Sequence, residues 1–284
     1  MHLHCTAKAQ LTSSSKQHHL LKHLMTNSIQ ALLKLAEKND ADAQYELAEA
    51  YRTGTDVAEN FTEALRWYRA AAELGLADAQ NNLGAMYLAG MGTDKSPVDA
   101  AYWYLKAAEQ EQMHAQFNLG MLYLLGSGVE QSDEAAVHWL HAAAEQGDLE
   151  AICQLGTLYQ LGRGVEQNFV AAAELHTIAA IEGHLAAIDK LAEYQQEIEN
   201  AALNGSIVAA LCMAKKFDHG LGTSEDTAQV YVWLQWARLH GTHDDAEDEL
   251  DEWESYVSAI TSEADIERGK KLLNEMRGRA DEMI

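Results

Sequence analysis

Histidine and cysteine are the residues of this chain best suited to chemistry, and their spacing sets what they could do. His138 and His141 are three apart, so a helix would carry both on one face. His240 and His243 have the same spacing and are followed by Asp244 and Asp245. Either pair could supply part of a metal ligand set. A small hydrolase or metal-dependent enzyme using these surface histidines is therefore the alternative function to carry forward. His2, His4, His18, His19 and His23 form a loose cluster that reads either as a metal-binding tail or as a disordered leader. Cys5, Cys153 and Cys212 are odd in number and far apart, which is neither a disulfide framework nor a zinc spacing. Cys153 and Cys212 read instead as small buried or half-buried helix residues. The sequence contains no Gly-x-Ser-x-Gly elbow, phosphate-cradling loop, His-Glu-x-x-His or Cys-x-x-Cys. No catalytic constellation and no cofactor is implied.

The elements that would have to position any site recur every 36 residues. Tyr51, Tyr87, Tyr123 and Tyr159 keep this step, as do Gly54, Gly90, Gly126 and Gly162. So do Gln44, Gln80 and Gln116, and Trp67, Trp103 and Trp139. A fixed period of this size is the signature of stacked helical units. Within one unit, Ala79, Leu83, Met86 and Tyr87 predict a helix over 77–89. Gly90 and Gly92 turn the chain, and Ala100, Trp103, Ala107 and Ala108 predict a second helix over 98–110. Gly84, Gly120 and Gly156 on the first helix, with Ala71, Ala107, Ala143 and Ala179 on the second, allow close helix approach. The tryptophans are expected to fill space between units.

Composition agrees. Hydrophobic residues make up 48% of the chain and proline occurs once, which suits packed helices. The formal net charge of -24 argues against nucleic acid and anionic membranes, both of which need a basic surface. Such acidity keeps an array soluble and would steer a basic partner toward it. No apolar run reaches the ~20 residues of a membrane span or forms a signal core.

The pattern Ala-x-Ala-Gln-x-x-Leu-Gly-x-x-Tyr-x-x-Gly-x-Gly-Val, then Ala-x-x-Trp-x-x-x-Ala-Ala-x-x-Gly, resembles the Sel1-like repeat family, relatives of the tetratricopeptide repeat. Residues 113–148 carry it through Ala115, Gln116, Leu119, Gly120, Tyr123, Gly126, Gly128, Val129, Ala135, Trp139, Ala142, Ala143 and Gly147. The resemblance implies an all-α, right-handed αα superhelical solenoid of helix-turn-helix repeats. The expected division is a disordered leader over 1–27 (Met25 could be the start), a capping helix over 28–39, four repeats over 40–184, a degenerate repeat over 185–205, a fifth repeat over 206–241 and capping helices over 242–284. Ser28 is the expected N-cap of the first helix. Asn39, Asp56 and Glu111 stand where the pattern has glycine, Leu175 where it has tryptophan, and Ile152 where it has glutamine. The segment 185–204 is either one helix, with Ile188, Leu191, Ile198 and Ala202 inward, or a stunted hairpin, and a change of superhelical path is expected there. Thr242-x-x-Asp245 resembles a capping box. In the helix it opens, Leu250, Trp253, Val257 and Ile260 form an apolar stripe. Thr261 is the expected cap of a last helix carrying Ile266, Leu272, Leu273 and Met276.

The resemblance also implies function. Family members assemble or regulate protein complexes, in bacteria often signalling or envelope-related ones, and the expected location is the cytoplasm. The cysteine-rich members described as penicillin-binding hydrolases carry paired cysteines that this chain lacks. By the same resemblance, the first helix of each unit lines a concave groove. Its outward positions are Tyr45, Glu49 and Arg52; Asn81, Ala85 and Leu88; Phe117, Met121 and Leu124; and Cys153, Thr157 and Gln160. Phe117, Met121 and Leu124 form an apolar stripe at i, i+4, i+7. Beside Asn82 and Asn118 it would suit a peptide or helix, with apolar anchors for side chains and amides for backbone. A neighbouring helix or a second copy of the chain could cover the same stripe. The two asparagines could equally serve the fold.

Overall fold

The computed structural model describes residues 29–241 and 246–282, and every regular element among them is a helix. A short helix α1 spans 29–36. Helix pairs follow: α2 (Ala41–Thr53) and α3 (Phe61–Glu73), α4 (Ala77–Ala89) and α5 (Pro97–Ala108), α6 (Met113–Leu125) and α7 (Asp133–Glu145), α8 (Leu149–Leu161) and α9 (Phe169–Ile181). Then come α10 (Leu185–Glu193), α11 (Gln195–Leu203), α12 (Ile207–Asp218), α13 (Thr227–His240), α14 (Glu247–Ile260) and α15 (Glu263–Glu282). The fold is thus the expected all-α solenoid of helix pairs. The chain forms two compact units divided between Gln131 and Ser132, so α2–α6 lie in the first and α7–α15 in the second.

In the first unit, consecutive helices from α2 to α6 pack on one another. Three devices repeat and explain why. The helix-to-helix loop ends in a capping residue, Asn60 or Ser96, whose side chain accepts from backbone amides of the first turn of α3 or α5. Ser132 and Asn168 do the same for α7 and α9. Ser96 is followed by Pro97, so α5 starts one residue earlier than the pattern alone suggests, and it ends at Ala108 instead of 110. The buried amides of Gln44, Gln80 and Gln116 donate to the carbonyls of Ala36, Ala72 and Ala108, at 2.9, 3.1 and 3.5 Å. Each ties a first helix to the end of the helix before it.

The third device is the second loop glycine. A Cβ on Gly92 would stand 2.3 Å from the carbonyl oxygen of Phe61, and one on Gly128 would stand 2.1 Å from that of Pro97. These glycines admit the first turn of the preceding unit's second helix, beyond merely turning the chain. Asp56 takes the same place in the first repeat, is exposed, and adopts φ 64°. Asn39, Asp56 and Glu111 are the non-glycine residues with positive φ among those described. All three stand where the pattern has glycine, so the backbone kept the turn where the side chain changed.

The tryptophans are not the deepest residues. Trp67 is buried, but Trp103 and Trp139 are only half-buried. One position further along lie Tyr68, Tyr104, Leu140 and His176, at most 2% exposed. Helix geometry explains this: the tryptophan sits at the flank of the apolar stripe while its neighbour points at its centre.

In the second unit, α10 and α11 resolve the open reading of the shortened segment. They are two nine-residue helices broken at Tyr194, which has φ -131° and ψ 32°. They do not pack along each other as a hairpin would: α10 packs on α8 and α9, and α11 on α9, α12 and α13. Ala187, Leu191, Tyr194, Ile198 and Ala202 are buried, while Ile188 is half-buried. α12 and α13 form a further helix pair, with Gly220 and Gly222 at positive φ. α14 buries Leu250 and Val257 and half-buries Trp253, while Ile260, at the end of the stripe, is 48% exposed. Ile260 is the last residue of α14, where the stripe has run past its partners. Ser262, not Thr261, caps α15. Its hydroxyl accepts from the Asp265 amide at 3.1 Å, whereas the Thr261 hydroxyl donates back to the Val257 carbonyl of α14. Leu273 and Met276 are buried, Ile266 and Leu272 half-buried. The caps expected at Ser28 and Thr242–Asp245 lie outside the described residues.

Candidate functional site

The expected partner-binding residues of the first unit lie along α2, α4 and α6, and side-chain hydrogen bonds connect many of them. Glu49 is the hub. Its Oε2 lies 2.6 Å from Arg52 Nη2, and its Oε1 accepts from Asn82 Nδ2 at 3.0 Å and from the Tyr68 hydroxyl. Asn82 Nδ2 also lies 3.4 Å from the hydroxyls of Tyr45 and Tyr68. Asn81 Nδ2 donates to Asn82 Oδ1 at 3.2 Å, and Asn118 Nδ2 donates to Asn81 Oδ1 at 3.1 Å. A polar ladder thus runs from Tyr45 to Asn118 across three helices, with Asn82 and Asn118 at equivalent repeat positions.

Electrostatics hold the ladder together. Burial by itself would raise the Glu49 carboxyl, but hydrogen bonds from Arg52, Tyr68 and Asn82 outweigh it and keep it below the usual range. The Tyr68 phenol is pushed well up, by burial first and then by its bond to Glu49. Glu49 therefore stays ionised and Tyr68 stays protonated across neutral pH. Tyr68 belongs to this network although the sequence reading did not include it. Its signal was available, since it directly follows the repeat tryptophan and is the first of the series 68, 104, 140, 176.

Leu88, Phe117, Met121 and Leu124 are each half-buried, and Ala85 is exposed. The apolar stripe of α6 thus leaves part of each side chain in solvent. In the second unit the expected positions are used differently. Cys153 is buried, 5% exposed, and belongs to the core instead of an open face. Gln160 Nε2 is bound by Glu193 Oε2 of α10 at 3.0 Å, so α10 flanks the end of α8.

The histidine pairs show no shared geometry. His138 packs edge-on against Trp139, and His141 Nδ1 lies 3.4 Å from Glu145 Oε1. His240 stacks on Trp236 at 4.2 Å, while His243 lies outside the described residues. Among the described residues no three His, Cys, Asp or Glu side chains gather in a way that could hold a metal. No helix among them is long and apolar enough to cross a membrane.

Comparison with known proteins fits this architecture. The crystal structure of a Sel1 repeat protein from Oxalobacter formigenes is 28% identical, with a TM-score of 0.56 over 79% of this chain and 98% of that one. The structure of c5321, a protective antigen present in uropathogenic Escherichia coli strains and displaying an SLR fold, is 25% identical, with a TM-score of 0.57. That alignment covers 90% of this chain and 64% of the antigen. No curated protein matches the chain. Sel1 repeats match residues 41–76, 77–111, 114–148 and 149–184, which together make half of the sequence. Proteins built from these repeats generally act as protein–protein interaction scaffolds, and this chain belongs to the Sel1 repeat family.

Proposed function

We propose that this protein is a non-enzymatic scaffold or adaptor, and that the α2–α4–α6 face of its first unit binds a peptide or helix of a partner. The observation that carries the reading is the α6 stripe. Phe117, Met121 and Leu124 follow one another at i, i+4, i+7, remain partly open to solvent, and lie beside the Asn118–Asn81–Asn82–Glu49 ladder. Apolar anchors of this kind contribute most of the affinity for a docked helix. The ladder contributes rigidity: its amides are largely engaged within the protein, so it fixes the three helices without competing for the partner's backbone. Leu88 extends the apolar area, and Tyr45, Glu49 and Arg52 set polarity at the α2 end. The net charge favours a basic partner and disfavours nucleic acid. Cys153 and Cys212 are free and buried, as suits the reducing cytoplasm where we place the protein.

The test is selection from a displayed library of random linear peptides, followed by anisotropy titration of the enriched peptides against the wild type, Phe117→Asp and Met121→Asp. Burial of one large apolar anchor stabilises a complex by about 2 kcal/mol, so each variant should lose at least ~30-fold in affinity while keeping its helicity and melting temperature. Peptides that bind the variants as well as the wild type would overturn the reading. So would early melting of both variants, which would place Phe117 and Met121 in the core.

A further inference from the structure

A recess lies in the second unit, between the end of α12 and one face of α14, with a volume of about 390 Å³. Its walls are Asp218, His219, Glu252, Trp253 and Tyr256. Two of these are aromatic rings set edge to face, with centroids 5.7 Å apart, and two are carboxylates. They come from adjacent positions of two helices: Glu252, Trp253 and Tyr256 share one face of α14 by their i, i+1, i+4 spacing, while Asp218 is the last residue of α12.

The chemistry of that lining is one-sided. The Asp218 side chain is only 14% exposed, and its charge partner among the described residues is the His219 ring, whose Nδ1 lies 3.4 Å away. That nitrogen also lies 3.2 Å from the Lys215 carbonyl. Lys215 of α12 is paired with Glu249 at 2.5 Å, and its ammonium lies 5.9 Å from the centre of the Trp253 ring. Asp218 is thus a largely buried carboxylate whose charge partner is a histidine ring, and it lines the recess together with Glu252 and Tyr256.

We propose that this recess binds a guanidinium group presented by an arginine side chain of a peptide. Guanidinium suits it better than the alternatives. Its plane can lie against the exposed Tyr256 ring while its N–H fork reaches Asp218 and Glu252. A quaternary ammonium has no hydrogen to give a carboxylate, and a lysine ammonium cannot stack. The recess is separate in sequence and chemistry from the α6 stripe, and the two can be tested with different variants.

The experiment titrates the full-length protein with acetyl-Gly-Arg-Gly-amide, its citrulline counterpart, agmatine and choline, read by calorimetry and ligand-observed NMR. The arginine peptide should bind, the citrulline peptide and choline should not, and Asp218→Asn should weaken the arginine peptide roughly tenfold or more, the cost of one charge-assisted hydrogen bond. Because Asp218 is partly buried, the exposed pair Glu252→Gln and Tyr256→Ala is measured as well, with the same loss expected. Glu130→Gln, an exposed carboxylate of the first unit, should leave binding unchanged and so controls for general acidity. Agmatine binding as tightly as the peptide would reassign the recess to a free small cation and overturn the peptide assignment. Binding of the citrulline peptide, or arginine binding that survives all three recess variants, would overturn the site itself.

Discussion

Tyr104 beneath Gly84 and His176 beneath Gly156 occupy the same place in the repeat, in the first and second units respectively. In each case a Cβ on the glycine would stand 2.8 Å from the ring below. The backbone geometry is shared, yet the slot serves two purposes. Tyr104 is buried hydrophobic filling, its phenol pushed up to about 12 by burial. Its repeat neighbour Tyr68 extends a hydroxyl to Glu49 and anchors the ladder. His176 faces inward instead: Nδ1 meets the Tyr194 hydroxyl, and Nε2 lies 3.1 Å from the Cys153 carbonyl. Tyr194 is the residue at which the shortened segment breaks into α10 and α11. The slot thus holds an apolar filling in one repeat and a hydrogen-bonded ring in others, and in the fourth repeat that ring meets the residue at which the shortened segment breaks.

The largest expected effect breaks the regular side of this comparison. Gly128→Ala places a methyl 2.1 Å from the Pro97 carbonyl and forces alanine to φ 76°. Nothing flexible can yield, since the opposing atom is backbone, so the cost should be about 4 kcal/mol or more. A steep fall in denaturant midpoint for Gly128→Ala, set beside a small change for Asp56→Ala in the exposed equivalent position, would establish that the close approach and not the turn is what needs glycine. Equal effects would give the turn the larger role.

The next effect belongs to the irregular side. Burial lowers the His176 pKa to about 4, from an ordinary value near 6.5. The fold accepts the neutral ring. The unfolded chain takes up a proton as pH falls through about 6.5, and the folded chain resists until about 4. Stability from this group is therefore fully present above about pH 6.5, declines between there and pH 4, and levels off below, a loss of about 3 kcal/mol in all. Urea midpoints at several pH values should show this slope in the wild type. The double variant His176→Leu, Tyr194→Phe, which leaves neither partner unpaired, should show it reduced by that amount. A wild-type slope retained in the double variant would assign the acid sensitivity elsewhere.

What was legible in the sequence divides along the same line. Helices, loops and turns of the four repeats were readable because one spacing repeats glycine, alanine and glutamine, and each of those types has one steric or hydrogen-bonding job. The bend at Tyr194 was not readable: ring contacts between residues 18 apart leave no periodic trace, and a tyrosine is no helix breaker by type. The expected face was readable as positions but not as a network. The Glu49–Tyr68–Asn82 contacts join side chains whose choice is not repeated in later units, where Cys153 and Gln160 turn inward or bind α10.

A third, smaller effect tests the tie between helices. Gln80 donates to the Ala72 carbonyl and accepts from Gln110 Nε2 at 2.7 Å. Gln80→Leu should cost about 1 kcal/mol, the loss of one hydrogen bond, since the Ala72 carbonyl keeps the Gly75 amide at 3.0 Å. Thermal melting of Ile152→Gln offers the reverse comparison, because the fourth repeat carries a buried isoleucine there. A gain in stability on restoring glutamine would show that the tie is transferable. A loss would show that α8 has repacked around the isoleucine.

The smallest effect should be favourable. Glu111 ends the second repeat at φ 61°, a conformation that costs an L-residue roughly 1 kcal/mol and glycine almost nothing. Glu111 is exposed, so its side chain is not needed to fill space. Glu111→Gly gives up the side chain's own contacts and some order in the unfolded chain but relieves the strained turn, for a net gain of at most about 0.5 kcal/mol. It also removes one of 44 acids from a chain of net charge -24, which acts in the same direction by reducing self-repulsion. The two contributions separate with salt. A gain that persists in high salt belongs to the backbone, and one that vanishes belongs to the charge. The same substitution at Asn39, φ 63°, should gain less, because asparagine already visits this region more easily than glutamate does. A larger gain at Asn39 than at Glu111 would contradict the ranking by backbone strain.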